Sequence, residues 1–184
     1  MLPVIVTKTA VRVAVAATAA TLTTALDNTK PAGEALYRLT GTTAMYVAHG
    51  IADTVFTAAT TDICTAVGHK LNLGDAVQVS TTTTLPTGLS AATTYFAIVS
   101  DALGSNTFKL ATTRALALAG TAIDITGTGS GTHTMTTVAT VGAGSALVAA
   151  GASADLDGAL GAKVSVIRAT ADGEASIAQL ALAR

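Results

Sequence analysis

Residues 74–110 read GDAVQVSTTTTLPTGLSAATTYFAIVSDALGSNTFKL. Within them AVQVS at 76–80 alternates apolar and polar side chains, the two-residue period of a strand with one buried face. Gly74-Asp75 ahead of it is a turn, and Leu85-Pro86 with Gly88 interrupts the chain again. YFAIV at 95–99 is a compact apolar run of aromatic and β-branched residues, and TFKL at 107–110 is a further short strand. AIDIT at 122–126 reads the same way. Short strands at this spacing, with turn signals between them, describe a small all-β unit.

Outward from this stretch the composition defines its limits. Residues 53–137 hold 22 of the 34 threonines, and their charges are five Asp against Lys70, Lys109 and Arg114, a net of −2. The flanks hold seven basic and six acidic residues, a net of +1. A shift that begins and ends inside a chain marks an insertion, here 53–137 within a parent domain of 1–52 plus 138–184. The parent also reads as strand. Val11, Val13 and Val15 share one face, LYRLTGTTAMYV at 36–47 forms two short strands around Gly41, and KVSVIR at 163–168 alternates cleanly. Residues 14–26 are poised between helix and strand, because Ala favours one and Thr the other. The tail from 175 reads as an edge strand, with helix as the alternative. Asp27-Asn28 with Pro31 and Gly33 marks a turn, and Asp157-Gly158 and Asp172-Gly173 are hairpin-type signals. The expected fold is all-β: an antiparallel β-sandwich or barrel-like parent carrying a smaller inserted all-β module.

Composition limits the partners. The chain has 184 residues, 10 basic and 11 acidic, for a net charge of −1. A near-neutral chain has no electrostatic grip on nucleic acid or an acidic membrane, so neither is expected as a partner. Three per cent aromatic residues leave little with which to stack bases or sugars. No stretch approaches the roughly 18 apolar residues of a membrane-spanning helix. The longest uninterrupted apolar run near the start, 13–17, is short for a signal peptide, and Lys8 and Arg12 come after rather than before the first apolar residues. Ala, Thr and Gly make up 91 of the 184 residues, and charged residues only 11%. Soluble domains carry about 25% charge. A surface so poor in charge is weakly protected against association, which points to a surface meant to touch protein.

Few residues invite chemistry. Gly127, Gly129 and Gly131 form GTGSGT after an expected strand, but a phosphate loop needs a Gly-Lys-Ser/Thr ending and then a helix. The next residues, His133 to Val138, have strand chemistry, so the segment reads as a flexible hairpin or linker at the exit of the insertion. The histidines are His49, His69 and His133; Cys64, His69 and Asp62 lie close in sequence without a paired ligand motif, so no metal site is expected. Cys64 reads as a small buried apolar group, and as the single cysteine it has no intrachain disulfide. Asp155 and Asp157 would share a strand face, but a calcium loop needs a Glu where Val166 stands, so they read as solvated turn carboxylates. No Gly-x-Ser-x-Gly occurs, and 81–84 reads as an exposed strand or loop of four threonines. No catalytic, cofactor-binding or metal residue is assigned, and no enzyme is expected.

The middle stretch resembles a module of tailed-bacteriophage virion structural proteins. The resemblance rests on HKLNLGDAVQVSTTTTLPTGLSAATTYFAIVSD at 69–101, NTFKLATT at 106–113 and AIDITGTGSGTHTM at 122–135. The flanks, LYRLTGTTAMYVAHG at 36–50 and LDGALGAKVSVIRATADGEASI at 156–177, are similar in general shape to halves of a small β-domain of capsid-associated proteins. The resemblance implies a non-enzymatic virion protein, with capsid decoration (cement) as the leading role and a tail, neck, baseplate or fibre position as the alternative. It further implies the major capsid protein as partner, a homotrimer, and a place on the outer surface of the capsid after assembly in the host cytoplasm. A surface adhesin or glycan-binding module is the reading from another class.

Overall fold

A computed structural model describes residues 4–6, 11–17, 19–22, 36–51, 53–141, 145–157 and 163–182. In chain order the strands begin with β1 (Val4–Val6), β2 (Val11–Val15), β3 (Ala20–Leu22), β4 (Leu36–Gly41) and β5 (Met45–Ile51). Next come β6 (Asp53–Ala58), β7 (Cys64–Thr65), β8 (Ala76–Thr81), β9 (Thr94–Ile98) and β10 (Thr107–Ala111). A short helix α1 (Arg114–Leu118) then precedes β11 (His133–Thr137). The chain finishes with β12 (Ala146–Val148), β13 (Ser153–Asp157), β14 (Lys163–Arg168) and β15 (Gly173–Leu182). The protein is all-β, and the described residues fall into two compact units, Met1–Ala52 with Val138–Arg184, and Asp53–Thr137.

The first unit is a two-sheet sandwich. One sheet runs β1-β15-β4-β13, with β2 also on β15; the other runs β12-β5-β14-β3. Every pairing is antiparallel. Alternation places Tyr37, Leu39, Ala175 and Ile177 of the first sheet and Met45, Val47, Val164 and Val166 of the second in one buried cluster. Of the two forms open for the parent, sandwich or barrel, it adopts the sandwich.

Three expectations for this unit are corrected. Asp157-Gly158 and Asp172-Gly173 do not close hairpins: β13 and β15 lie in one sheet and β14 in the other, so each connection crosses between layers. Asp155 is not in a turn but inside β13. The tail is not an edge strand; β15 runs ten residues and is flanked by β1 and β2 on one side and β4 on the other. A Cβ on Gly173 would stand 2.5 Å from the Thr43 hydroxyl, and Ala175 and Ile177 are buried in the sandwich core. The turn at 27–33, Gly158 and Lys8 lie outside the described residues.

The second unit is a closed barrel, β10-β7-β6-β11-β8-β9. Closure leaves no free sheet edge, the general solution to unwanted strand pairing. Phe56, Val77, Val79, Tyr95, Ala97, Phe108, Leu110 and Met135 point inward and fill it. The YFAIV run is apolar on both faces because both are covered. Tyr95 and Ala97 face the interior, while Ile98 packs under α1 with Ala111 and Ala117. Thr113 caps that helix, its hydroxyl accepting the Leu116 N–H at 3.2 Å.

Segment 122–126 is not a strand. Ile123 N–H bonds the Leu110 carbonyl at 2.8 Å and Ile125 N–H bonds the Asp62 carboxylate at 2.9 Å. These isolated contacts extend the chain without a ladder and drive Ile125 into the core at 1% exposure.

The barrel is entered by β6 and left by β11, and these two strands pair, with Asp53 opposite Thr136. Antiparallel partners of this kind stand about 5 Å apart. Residues 53–137 produced alone should therefore fold into the same barrel. The check is a dispersed amide spectrum with cooperative unfolding; a collapsed spectrum contradicts it.

Candidate functional site

The barrel carries an open recess of about 350 Å³ between the outer part of β6 and the segment 128–133. One wall is Val55 to Ala58; the other is the GTGSGT segment and His133. That segment is not a loose linker, which corrects the sequence reading. It is strapped to 82–87 by Thr84–Ser130 and Thr87–Gly127 bridges, and by Thr132 N–H on the Thr82 hydroxyl at 3.0 Å. Gly129 has φ +71°, and a Cβ there would stand 2.5 Å from the Thr84 carbonyl oxygen. Glycine is needed for the approach, not for a phosphate.

His133 sits beneath the strap, 5% exposed, with its ring 5.6 Å from that of Phe56. Nδ1 is 2.9 Å from the Thr81 hydroxyl and Nε2 is 3.1 Å from the Thr128 carbonyl oxygen. Sequence reasoning sees His133 and Thr81 separately. They meet because β8 and β11 pair in register, His133 opposite Thr81.

The other residues singled out have structural duties. Asp62, at φ +65°, accepts the Ile125 N–H. His69 Nδ1 accepts the Leu71 N–H at 3.0 Å, and its ring meets Phe108 edge-on at 5.3 Å. His69 Nε2 is buried without a hydrogen-bond partner. His49 lies in β5 of the other unit. Among the described residues no group of three or more His, Cys, Asp or Glu converges as metal ligands would.

Cys64 is fully buried on β7. Burial, with a smaller contribution from the Asp62 charge, pushes its thiol up to about 12. A free thiol ionises near 8.5, so above roughly that pH the unfolded chain gives up a proton that the native chain keeps. Stability should therefore fall as pH rises past ~8.5, by up to about 1.4 kcal/mol per pH unit. A disulfide reagent at pH 8 should label Cys64 no faster than the barrel opens; prompt labelling of the native chain contradicts this.

The outward faces of the sandwich differ in kind. On the first sheet, Arg12 pairs with Glu174 at 3.5 Å, and Arg38 grips Asp155 in a fork at 2.7 and 2.8 Å. The hydrogen bond from Arg38 holds the Asp155 carboxyl below the usual carboxylate range, against a small opposing effect of burial. Asp155 is thus an ion-pair partner across β4 and β13. On the second sheet the outward positions with described side chains are Tyr46, Ala48, Leu147, Ser165 and Ile167, which are uncharged; the charges of β14 lie at its two ends, Lys163 opposite Ile51 and Arg168, which pairs with Asp172 at 2.6 Å. Leu147 is 60% exposed, and Ser165 is covered, its hydroxyl accepting the Ala139 N–H at 3.0 Å.

Among the described residues no helix is long and apolar enough to cross a membrane. Comparison with protein-family models, with curated proteins and with solved structures finds no match. The class the structure defines is that of its fold: an all-β chain of two units, a sandwich and a closed barrel.

Proposed function

We propose that this chain is a non-enzymatic structural protein of a tailed-bacteriophage virion, serving as a capsid decoration protein. In this reading the sandwich attaches to the lattice of the major capsid protein, the chain acts as a homotrimer on the outer surface of the capsid, and the barrel is a carried module. The observation that carries the reading is the run of uncharged outward residues Tyr46, Ala48, Leu147, Ser165 and Ile167 across β5, β12 and β14, in a chain with only 11% charged residues. The counterpart sheet, with two cross-strand ion pairs, has the character of a solvated face. The phage-like pattern at 69–135 supplies the setting, and repeated weak contacts over a shell supply affinity through avidity.

Imaging particles that carry the chain tests the reading. Density repeating over the capsid lattice is the expected result. Density confined to one vertex or to the tail would replace decoration by a neck, tail or baseplate role.

A further inference from the structure

The buried ring of His133 touches two groups with different hydrogen-bonding capacity. The Thr128 carbonyl can only accept, so Nε2 carries a proton whenever that bond is made. The Thr81 hydroxyl has one proton and two acceptors in reach: His133 Nδ1 at 2.9 Å and the Ser130 carbonyl oxygen at 3.1 Å. When the ring is neutral, Nδ1 is a bare lone pair and takes the Thr81 proton, so Ser130 loses it. When the ring is protonated, Nδ1–H donates to the Thr81 oxygen and the hydroxyl proton turns to Ser130. The charged form therefore makes one more hydrogen bond, and the extra bond falls on the strap that walls the recess.

We propose that His133 is a proton-operated latch: taking up one proton from solvent at Nδ1 reverses the Thr81 hydroxyl and tightens segment 128–132 against 81–84. The surroundings leave this exchange in control. β8 and the strap segments 82–84 and 127–132 carry no ionisable side chain. β6 carries only Asp53, which accepts the Thr136 hydroxyl at 2.5 Å and pairs with Thr136, three positions along from Phe56. The next imidazole, His69, lies beyond Phe108, which itself packs on Phe56.

The test uses the full chain, isotopically labelled, with the His133 ring nitrogens and the backbone amides followed as the pH is lowered. The neutral ring should be the Nε2–H tautomer. As the ring protonates, exchange protection of the Ser130 and Thr84 amides should rise roughly two- to tenfold over that of β10 amides, the worth of one hydrogen bond. Thr81→Ser should keep the rise, and Thr81→Val should abolish it when compared at equal ring protonation. A neutral Nδ1–H tautomer, protection that ignores ring protonation, or an undiminished rise in Thr81→Val would overturn the latch. The first two outcomes are read from the unmodified chain, so they decide even if Thr81→Val does not fold.

Discussion

Phe108→Ala should destabilise the barrel by about 3–5 kcal/mol, the usual loss for a large aromatic truncated in a packed core. Phe108 has no exposed surface and meets Phe56 at 6.3 Å and His69 at 5.3 Å between ring centroids. It also stands opposite Cys64 where β10 pairs with the two-residue strand β7. That pairing is short, so the barrel wall there depends on side-chain packing more than on its ladder. The rest of the interior, from Phe56 and Tyr95 to Val77, Leu110 and Met135, is already packed, so its side chains fill the void only by leaving their own positions. Amide exchange separates the two units. Protection in β10 should collapse with the substitution while protection in β15, in the other compact unit, stays near its starting value. A loss below ~1 kcal/mol would mean that the interior repacks, contrary to close packing around this ring.

Gly129→Ala should cost about 2–5 kcal/mol, from two sources that a control can divide. At φ +71° any side chain carries a left-handed penalty of roughly 1–2 kcal/mol. The added Cβ would also stand 2.5 Å from the Thr84 oxygen and 2.7 Å from the Leu85 carbonyl carbon, so backbone must move. Displacements of that sort cost about 1–3 kcal/mol more. Gly104 has a similar φ, +81°, but a Cβ there meets nothing within 4 Å. Gly104→Ala should therefore show the conformational penalty alone. Equal midpoints for the two variants in denaturant would remove the close approach from the account.

Both predictions rest on contacts of different legibility. The strands of the barrel and sandwich that alternate, such as Ala76–Thr81, Thr107–Ala111 and Lys163–Arg168, are readable because a two-residue period exposes which face is buried. The edges of the compact barrel unit, at 53 and 137, fall where the threonine content changes. The helix α1 carries signals that a strand reading of its surroundings passes over: Thr113 caps it, Ala and Leu run through it, and Gly120 at φ +73° lies just beyond it. Segment 122–126 misleads because Ile123 and Ile125 alternate as in a strand although their amides bond a carbonyl and a carboxylate on separate elements. The Asp-Gly pairs mislead because turn chemistry specifies a bend and not which sheet receives the next strand. The joining of His133 to Thr81 and Thr128 is illegible in the sequence, since it depends on the register of strands whose paired residues lie 52 positions apart.

The proposal that neighbouring subunits are the intended environment of this chain is tested most directly by its mass in solution. Sedimentation of the purified protein, alone and mixed with empty phage heads, should give the mass of a trimer in the first case and co-sedimentation with the heads in the second. A monodisperse monomer that remains in the supernatant at concentrations approaching millimolar would contradict it.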